Sequence, residues 1–226
     1  MEVLYEDNHL IIVNKEAGEI VQGDKTGDVP LSDKVKEYIR LKYDKPGAVF
    51  LGVVHRLDRP VSGIVLFART SKALERMNKK FREKDVSKKY WAIVENTPDK
   101  ESATLENYLK KNPEKNKSFV QKDDKQGAKL SKLSYKVVDR SDRYTLLEVE
   151  LHTGRHHQIR VQLSTMGCVI KGDLKYGAKR SNEDASIHLH ARELSFVHPV
   201  SKENIKVIAP VPQHDTLWKF FEQRVK

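Results

Sequence analysis

What constrains this chain most is a set of apolar runs of strand length, with no regular helix between one run and the next. Leu10–Val13, Ser62–Ala68 and Tyr90–Glu95 are four to seven residues long, too short for ordinary helices and right for buried strands. Leu147, Val149 and Leu151 alternate with Glu148 and Glu150, the period-two pattern of a half-exposed strand. Val3–Tyr5 reads as a further strand, with turns at Glu6–His9 and Lys15–Gly18 and a loop at Gly23–Gly27. Helical spacing appears at Val35, Tyr38, Ile39 and Lys42, with Ser32 as N-cap. It recurs at Ala73, Leu74, Met77 and Phe81, capped by Thr70 or Ser71. Ile159, Leu163 and Met166 mark a third helix, stopped by Gly167, and Leu217, Phe220, Phe221 and Val225 form the core-facing stripe of a last one. Strands outnumber helices and do not alternate with them. The expected fold is therefore mixed α+β, a largely antiparallel sheet with flanking helices. No repeat or Pro/Gly linker divides residues 1–226, so one domain is expected.

Charge narrows the partner. The chain carries 42 Lys+Arg against 32 Asp+Glu, a formal net charge of +10, which favours a polyanion. No run approaches the ~18 apolar residues of a membrane span, the first residues are acidic where an export signal is basic, and Cys168 is the only cysteine. A cytoplasmic protein with no internal disulfide is expected. Two segments concentrate the positive charge. Lys79–Lys89 holds six Lys/Arg against Glu83 and Asp85, and Lys110–Lys132 holds eight lysines against three acids. Each reads either as a solvated loop or, for the second, as a flexible arm that neutralises phosphates.

Phosphate-binding, dinucleotide, zinc-protease and nucleophile-elbow motifs are absent; Ser62 lacks the glycines that an elbow needs. His188 and His190 alternate but lack a matching acid or cysteine cluster, so a structural role is expected and no metal site. The stretch VHRLDRPVSGIVLFA places Asp58 between Arg56 and Arg59, just before a buried strand. In an extended segment Arg56 and Asp58 share a side. Nearby guanidinium groups favour an ionised carboxylate, which can serve as nucleophile or base or simply brace a turn. In LHTGRHHQIRVQL, Thr153–Gly154 would lead into a helix whose free N–H groups, with Arg155, His156 and His157, suit a phosphate. On that helix His156 and Arg160 would share a face.

These strings, followed by GDLKYG and HLHARELSFVHPVSKE, resemble the RluA-type family of RNA pseudouridine synthases. The resemblance includes LYEDNHLIIVNKEAG and KKYWAIVE, and runs from about Val3 to Pro210. Glu16 stands where the family has proline and Val61 where it has threonine. The resemblance implies a pseudouridine synthase fold with a central RNA-binding cleft. It also implies isomerisation of uridine in ribosomal or transfer RNA, by base flipping and with no cofactor or metal. Asp58 would be the nucleophile or base, Tyr90 the ring stacked on the target base, and Arg160 the partner of Asp58. Arg56 would help displace the base, and Leu189 would form part of the wall around it; Arg155 and His156 would meet phosphates. A monomer without an obligate protein partner or an N-terminal accessory RNA-binding domain is expected. Two rivals are an RNA-binding protein that keeps the scaffold without turnover and an aspartyl phosphotransferase. Against the second, position 60 holds proline where such enzymes carry a second acid.

Overall fold

The computed structural model describes residues 1–24, 26–124 and 127–225. Eleven strands form a single sheet among these residues: β1 Glu2–Glu6, β2 Leu10–Lys15, β3 Gly52–Val53, β4 Ser62–Ala68, β5 Ser87–Val94, β6 Ser102–Asn112, β7 Lys117–Gln121, β8 Lys129–Arg140, β9 Thr145–Leu151, β10 Leu189–Val197 and β11 Asn204–Ile208. The helices are α1 Leu31–Lys42, α2 Ser71–Glu83, α3 Gln158–Thr165 and α4 Thr216–Arg224. The strand order is β1-β2-β4-β10-β5-β9-β8-β6-β7, with β3 on β4 and β11 on β10. Every pairing is antiparallel except β4 with β10. The expected mixed, largely antiparallel α+β architecture is the one observed.

Burial on both faces explains why the central strands read as continuous apolar runs rather than alternating ones. Leu10, Ile12, Ile64 and Leu66 face Ala73 and Met77 of α2 and Ile159 and Leu163 of α3. Ile11, Val13, Val65 and Phe67 face Leu31, Val35 and Ile39 of α1 on the other side. Trp218 and Phe221 of α4 cover Trp91, Ile93 and Leu146. The expected stripe of α4 is thus only partly right: Phe220 is 39% exposed, and Trp218 takes the core position.

Helix starts follow the availability of backbone partners. Thr70 caps α2 through its side chain, accepting from the Ala73 N–H. Ser32 does not cap α1. That helix starts after Pro30, and its orphan Leu31 and Ser32 N–H groups donate to the Ile20 and Val21 carbonyls, so no side-chain cap is needed. The lysine-rich segment is a β-hairpin of β6 and β7 leading into β8, not an irregular arm; positions 125 and 126 of that segment lie outside the described residues.

One transverse row of residues positions the site. Cross-strand register aligns Lys15, Gly63, Ala191, Tyr90 and Val149 across β2, β4, β10, β5 and β9. The β4–β10 crossing is close at Gly63: φ is +110°, and an added Cβ would lie 2.4 Å from the Ala191 carbonyl oxygen. That backbone cannot yield as a side-chain tip would. Gly63→Ala is expected to lower stability by about 3 kcal/mol or more, combining unfavourable φ with overpacking. Chemical denaturation checks this; an unchanged midpoint would remove the argument for glycine.

Candidate active site

Asp58 sits in the loop that enters β4, and the carbonyls of residues 58–61 are all engaged. The Asp58 carbonyl accepts from the Val61 N–H, that of Arg59 from the Gly18 N–H, and that of Pro60 from the Ile187 N–H. Lys15, fully buried, donates from Nζ to the carbonyls of Glu16, Arg59 and Val61 at 2.8, 3.2 and 2.7 Å. Burial pulls its ammonium down to about 8, against the pull of Glu19 and Asp58. A strand-end lysine, expected as part of a turn, therefore pins the loop from beneath. The Arg59 side chain turns away to Asp28, at 2.8 Å.

Arg160 projects from α3 and bridges two carboxylates. Its Nη1 donates to Asp58 Oδ2 at 2.9 Å, while Nε and Nη2 form a bidentate pair with Asp173 at 2.7 and 2.8 Å. Arg160 is 5% exposed and Asp173 1%, whereas the Asp58 side chain is 30% exposed. Burial opposes the Arg160 charge, but the two carboxylates outweigh it and raise the guanidinium above its ordinary range. A planar fork can serve both acids at once; an ammonium cannot.

Asp58 opens into a cleft whose lining includes Arg56, Val61, Tyr90, Arg155, Arg160 and Leu189. Tyr90 and Leu189 are buried on adjacent strands β5 and β10, and Arg56 and Arg155 are exposed at the rim. His156 is not on the cleft and not on α3. The helix starts only at Gln158, after His157 in a left-handed conformation with φ 54°. Residues 153–157 are held instead in a turn: Gln158 Oε1 accepts from the Thr153 hydroxyl and the Arg155 N–H. His156 bonds to the Ser118 hydroxyl and lines a neighbouring groove with Lys110, Lys111, Lys129 and Arg155. The expected shared face of His156 and Arg160 does not exist.

Residues 9–165 match the family model described as RNA pseudouridylate synthase. An uncharacterized RNA pseudouridine synthase of Synechocystis sp. is 32% identical over the whole chain and 70% of its own length. The chain belongs to the RNA pseudouridylate synthase family. Ribosomal large subunit pseudouridine synthase C of Vibrio cholerae is 34% identical over 94% of the chain and 66% of its own length. The chain thus spans about two thirds of such relatives. In fold it is similar to human RNA pseudouridylate synthase domain containing 4, with a TM-score of 0.82, 23% identity and coverage of 99% of this chain and 92% of that one.

Within this synthase, burial and then the Asp58 charge push the Tyr90 hydroxyl far up, so the ring meets the cleft as a neutral phenol. His188 and His190 have protein partners. His190 Nδ1 pairs with the Ser62 hydroxyl and Nε2 with the Ala209 carbonyl; His188 lies between Asn182 and Asp215, stacked on Trp218. The Lys79–Lys89 run is partly neutralised where α2 meets β5: Lys80 pairs with Asp85 at 2.5 Å and Lys89 with Glu148 at 3.4 Å. Sequence reasoning left Lys15, Asp173 and Tyr176 without roles and placed His157 only beside a phosphate, not beside Asp58. The only signal for Asp173 and Tyr176 was the string GDLKYG.

Several histidines are held neutral by the fold. Burial pulls His190 down to about 3 and His157 to about 2, both from an ordinary 6.5. The unfolded chain takes up these protons near pH 6.5 while the folded chain resists them. Their contribution to stability is therefore complete above pH 6.5 and is lost as pH falls towards their folded values, by up to about 1.4 kcal/mol per pH unit for each group. Thermal melts between pH 7.5 and 4 are expected to show a steady fall in Tm below 6.5; a flat profile there would mean the rings charge without penalty.

Proposed function

We propose that this chain isomerises uridine to pseudouridine in structured RNA, with large-subunit ribosomal RNA as the first substrate to test. The observation that carries the reading is the Asp58 carboxylate at the mouth of a cleft, held by Arg160 and sharing that cleft with Tyr90. A uridine stacked in RNA cannot bring its glycosidic bond to a recessed carboxylate, so the nucleotide is turned out of the stack. Tyr90 gives the extruded base a ring to lie on, worth roughly 1–3 kcal/mol. Leu189 closes the apolar side, and Arg56 at the rim fills the place the base has left. With Asp58 acting at the sugar, as nucleophile or base, the N1–C1′ bond breaks, the base turns, and C5 bonds to C1′. The hydrogen on C5 leaves as a proton, and N1 gains one.

Arg155, His156 and the lysines of the β6–β7 hairpin supply sequence-independent phosphate contacts beside the cleft. The relatives named for the ribosomal large subunit favour that RNA over transfer RNA. In this reading the protein acts as a cytoplasmic monomer, a single catalytic domain over residues 1–226. The test is tritium release from RNA labelled at carbon 5 of uridine. Release from a large-subunit transcript supports the proposal. Stable binding with no release at any uridine would favour a scaffold that binds RNA without turnover.

A further inference from the structure

Both contacts to the Asp58 carboxylate converge on one oxygen. Arg160 Nη1 reaches Oδ2 at 2.9 Å, and His157 Nε2 faces the same atom at 3.4 Å. Among the described residues, no hydrogen bond falls on Oδ1, which is left to the cleft. What faces Oδ2 from His157 depends on its tautomer, and the other ring nitrogen decides that. His157 Nδ1 lies 3.0 Å from the Tyr176 hydroxyl, whose oxygen already accepts the Ser118 N–H at 2.8 Å. The hydroxyl proton has two acceptors in reach, the Ser118 carbonyl at 3.3 Å and His157 Nδ1 at 3.0 Å. Giving it to the nearer Nδ1 places the ring proton on Nε2, facing the Asp58 carboxylate, which would repel a lone pair there. His157 is buried, and the ring of His156 stacks on it at 3.8 Å. Burial and the nearby Arg160 hold it neutral, well below its ordinary range.

We infer that Tyr176 and His157 are positioning residues for the reaction, a neutral second brace that fixes Asp58 Oδ2 and presents Oδ1 to the substrate. The inference rests on the proposed isomerase reading. It adds to the charged brace of Arg160 one that leaves the charge of the site unchanged. The 3.4 Å separation is long for a hydrogen bond, and such contacts shorten as the substrate seats. The brace also reaches the lysine-rich hairpin. Ser118 lies on β7, its N–H is held by Tyr176, and its hydroxyl bonds to His156. The hairpin strand is therefore hydrogen-bonded through Tyr176 to His157, and the 3.4 Å contact from His157 completes the path to Asp58.

Single-turnover tritium release and RNA affinity, measured side by side, separate the roles. Tyr176→Phe keeps the ring beside Arg160 and removes the hydroxyl, freeing His157 to turn its lone pair towards Asp58. Its rate at saturating enzyme is expected to fall by about 10- to 100-fold, with RNA affinity changed less than about threefold. His157→Gln retains an N–H donor near the Nε2 position, whereas His157→Ala does not. Both meet the same backbone strain at φ 54°, so their ratio isolates the donor. Gln is expected to exceed Ala by about tenfold or more in rate, at equal melting temperature. Equal rates for Gln and Ala, or a Tyr176→Phe enzyme as fast as wild type, would overturn the brace. Wild-type protein that releases no tritium would instead sink the isomerase reading itself.

Discussion

Asp58→Asn is expected to lower isomerisation by ~10⁴-fold or more, while RNA binding stays within a few-fold of wild type. The substitution keeps the shape of the side chain and an oxygen able to accept from Arg160 Nη1. Arg160 also keeps both bonds to Asp173, so no buried charge is stranded and the loop carbonyls held by Lys15 are untouched. What disappears is the negative oxygen facing the cleft. Tritium release under single-turnover conditions, paired with a filter-binding titration, checks both halves. An Asn variant that turns over at a tenth of the wild-type rate would place the chemistry on another group.

Arg160→Met has the second largest expected effect, on stability as well as rate. Asp173 is 1% exposed and its carboxylate is held by the bidentate pair. Removing one partner of a buried ion pair destabilises by about 3–5 kcal/mol, because the remaining charge stays buried without compensation. Activity falls as well, since Asp58 loses its direct partner. The double variant Arg160→Met/Asp173→Asn separates the two losses. Removing the stranded charge is expected to restore much of the stability and none of the activity. Urea denaturation and tritium release on the same preparations read the outcome. Recovery of activity in the double variant would mean that Arg160 serves only to neutralise Asp173. Lysine at position 160 is a poor substitute, because one ammonium cannot span Asp58 and both oxygens of Asp173.

Much of the fold was legible because the buried strands carry their signal locally. Leu10–Val13 and Ser62–Ala68 are covered on both faces, and a run of apolar residues announces that whatever the topology. The lysine-rich hairpin was not legible. Its strands lie near the edge of the sheet, where one face is solvated, and the lysines dilute the alternation that would mark them. Its order comes instead from pairing with β8 and from Ser118 against Tyr176, contacts distant in the chain. The start of α3 was misplaced for a similar reason. The helix is buried on several sides, Gln158, Arg160 and Gln162 included, so no amphipathic period fixed its boundary, and residues 153–157 direct their polar groups to Gln158, Lys132, Ser118 and Tyr176.

The site divides in the same way. Asp58, Tyr90 and Arg160 stood in recognisable strings, and the cleft contains all three. Their supports did not. Lys15 reads as the first residue of a turn and is instead the buried cation at the end of β2, beneath the Asp58 loop. Asp173 and Tyr176 act through partners 13 to 58 positions away. Local pattern carries no such information; the register of β2, β4, β10 and β5 places Lys15 and Tyr90, and the packing of α3 and residues 173–176 against β7 places the rest.

The most direct measurement is the structure of the Asp58→Asn variant bound to an RNA substrate at the stage before bond cleavage. An extruded uridine is expected in the cleft, its base against the Tyr90 ring and its C1′ about 3–3.5 Å from the side-chain atom that replaces Asp58 Oδ1. A uridine that stays stacked in the RNA, or one extruded into a different part of the surface with this cleft empty, would contradict the assignment of Asp58.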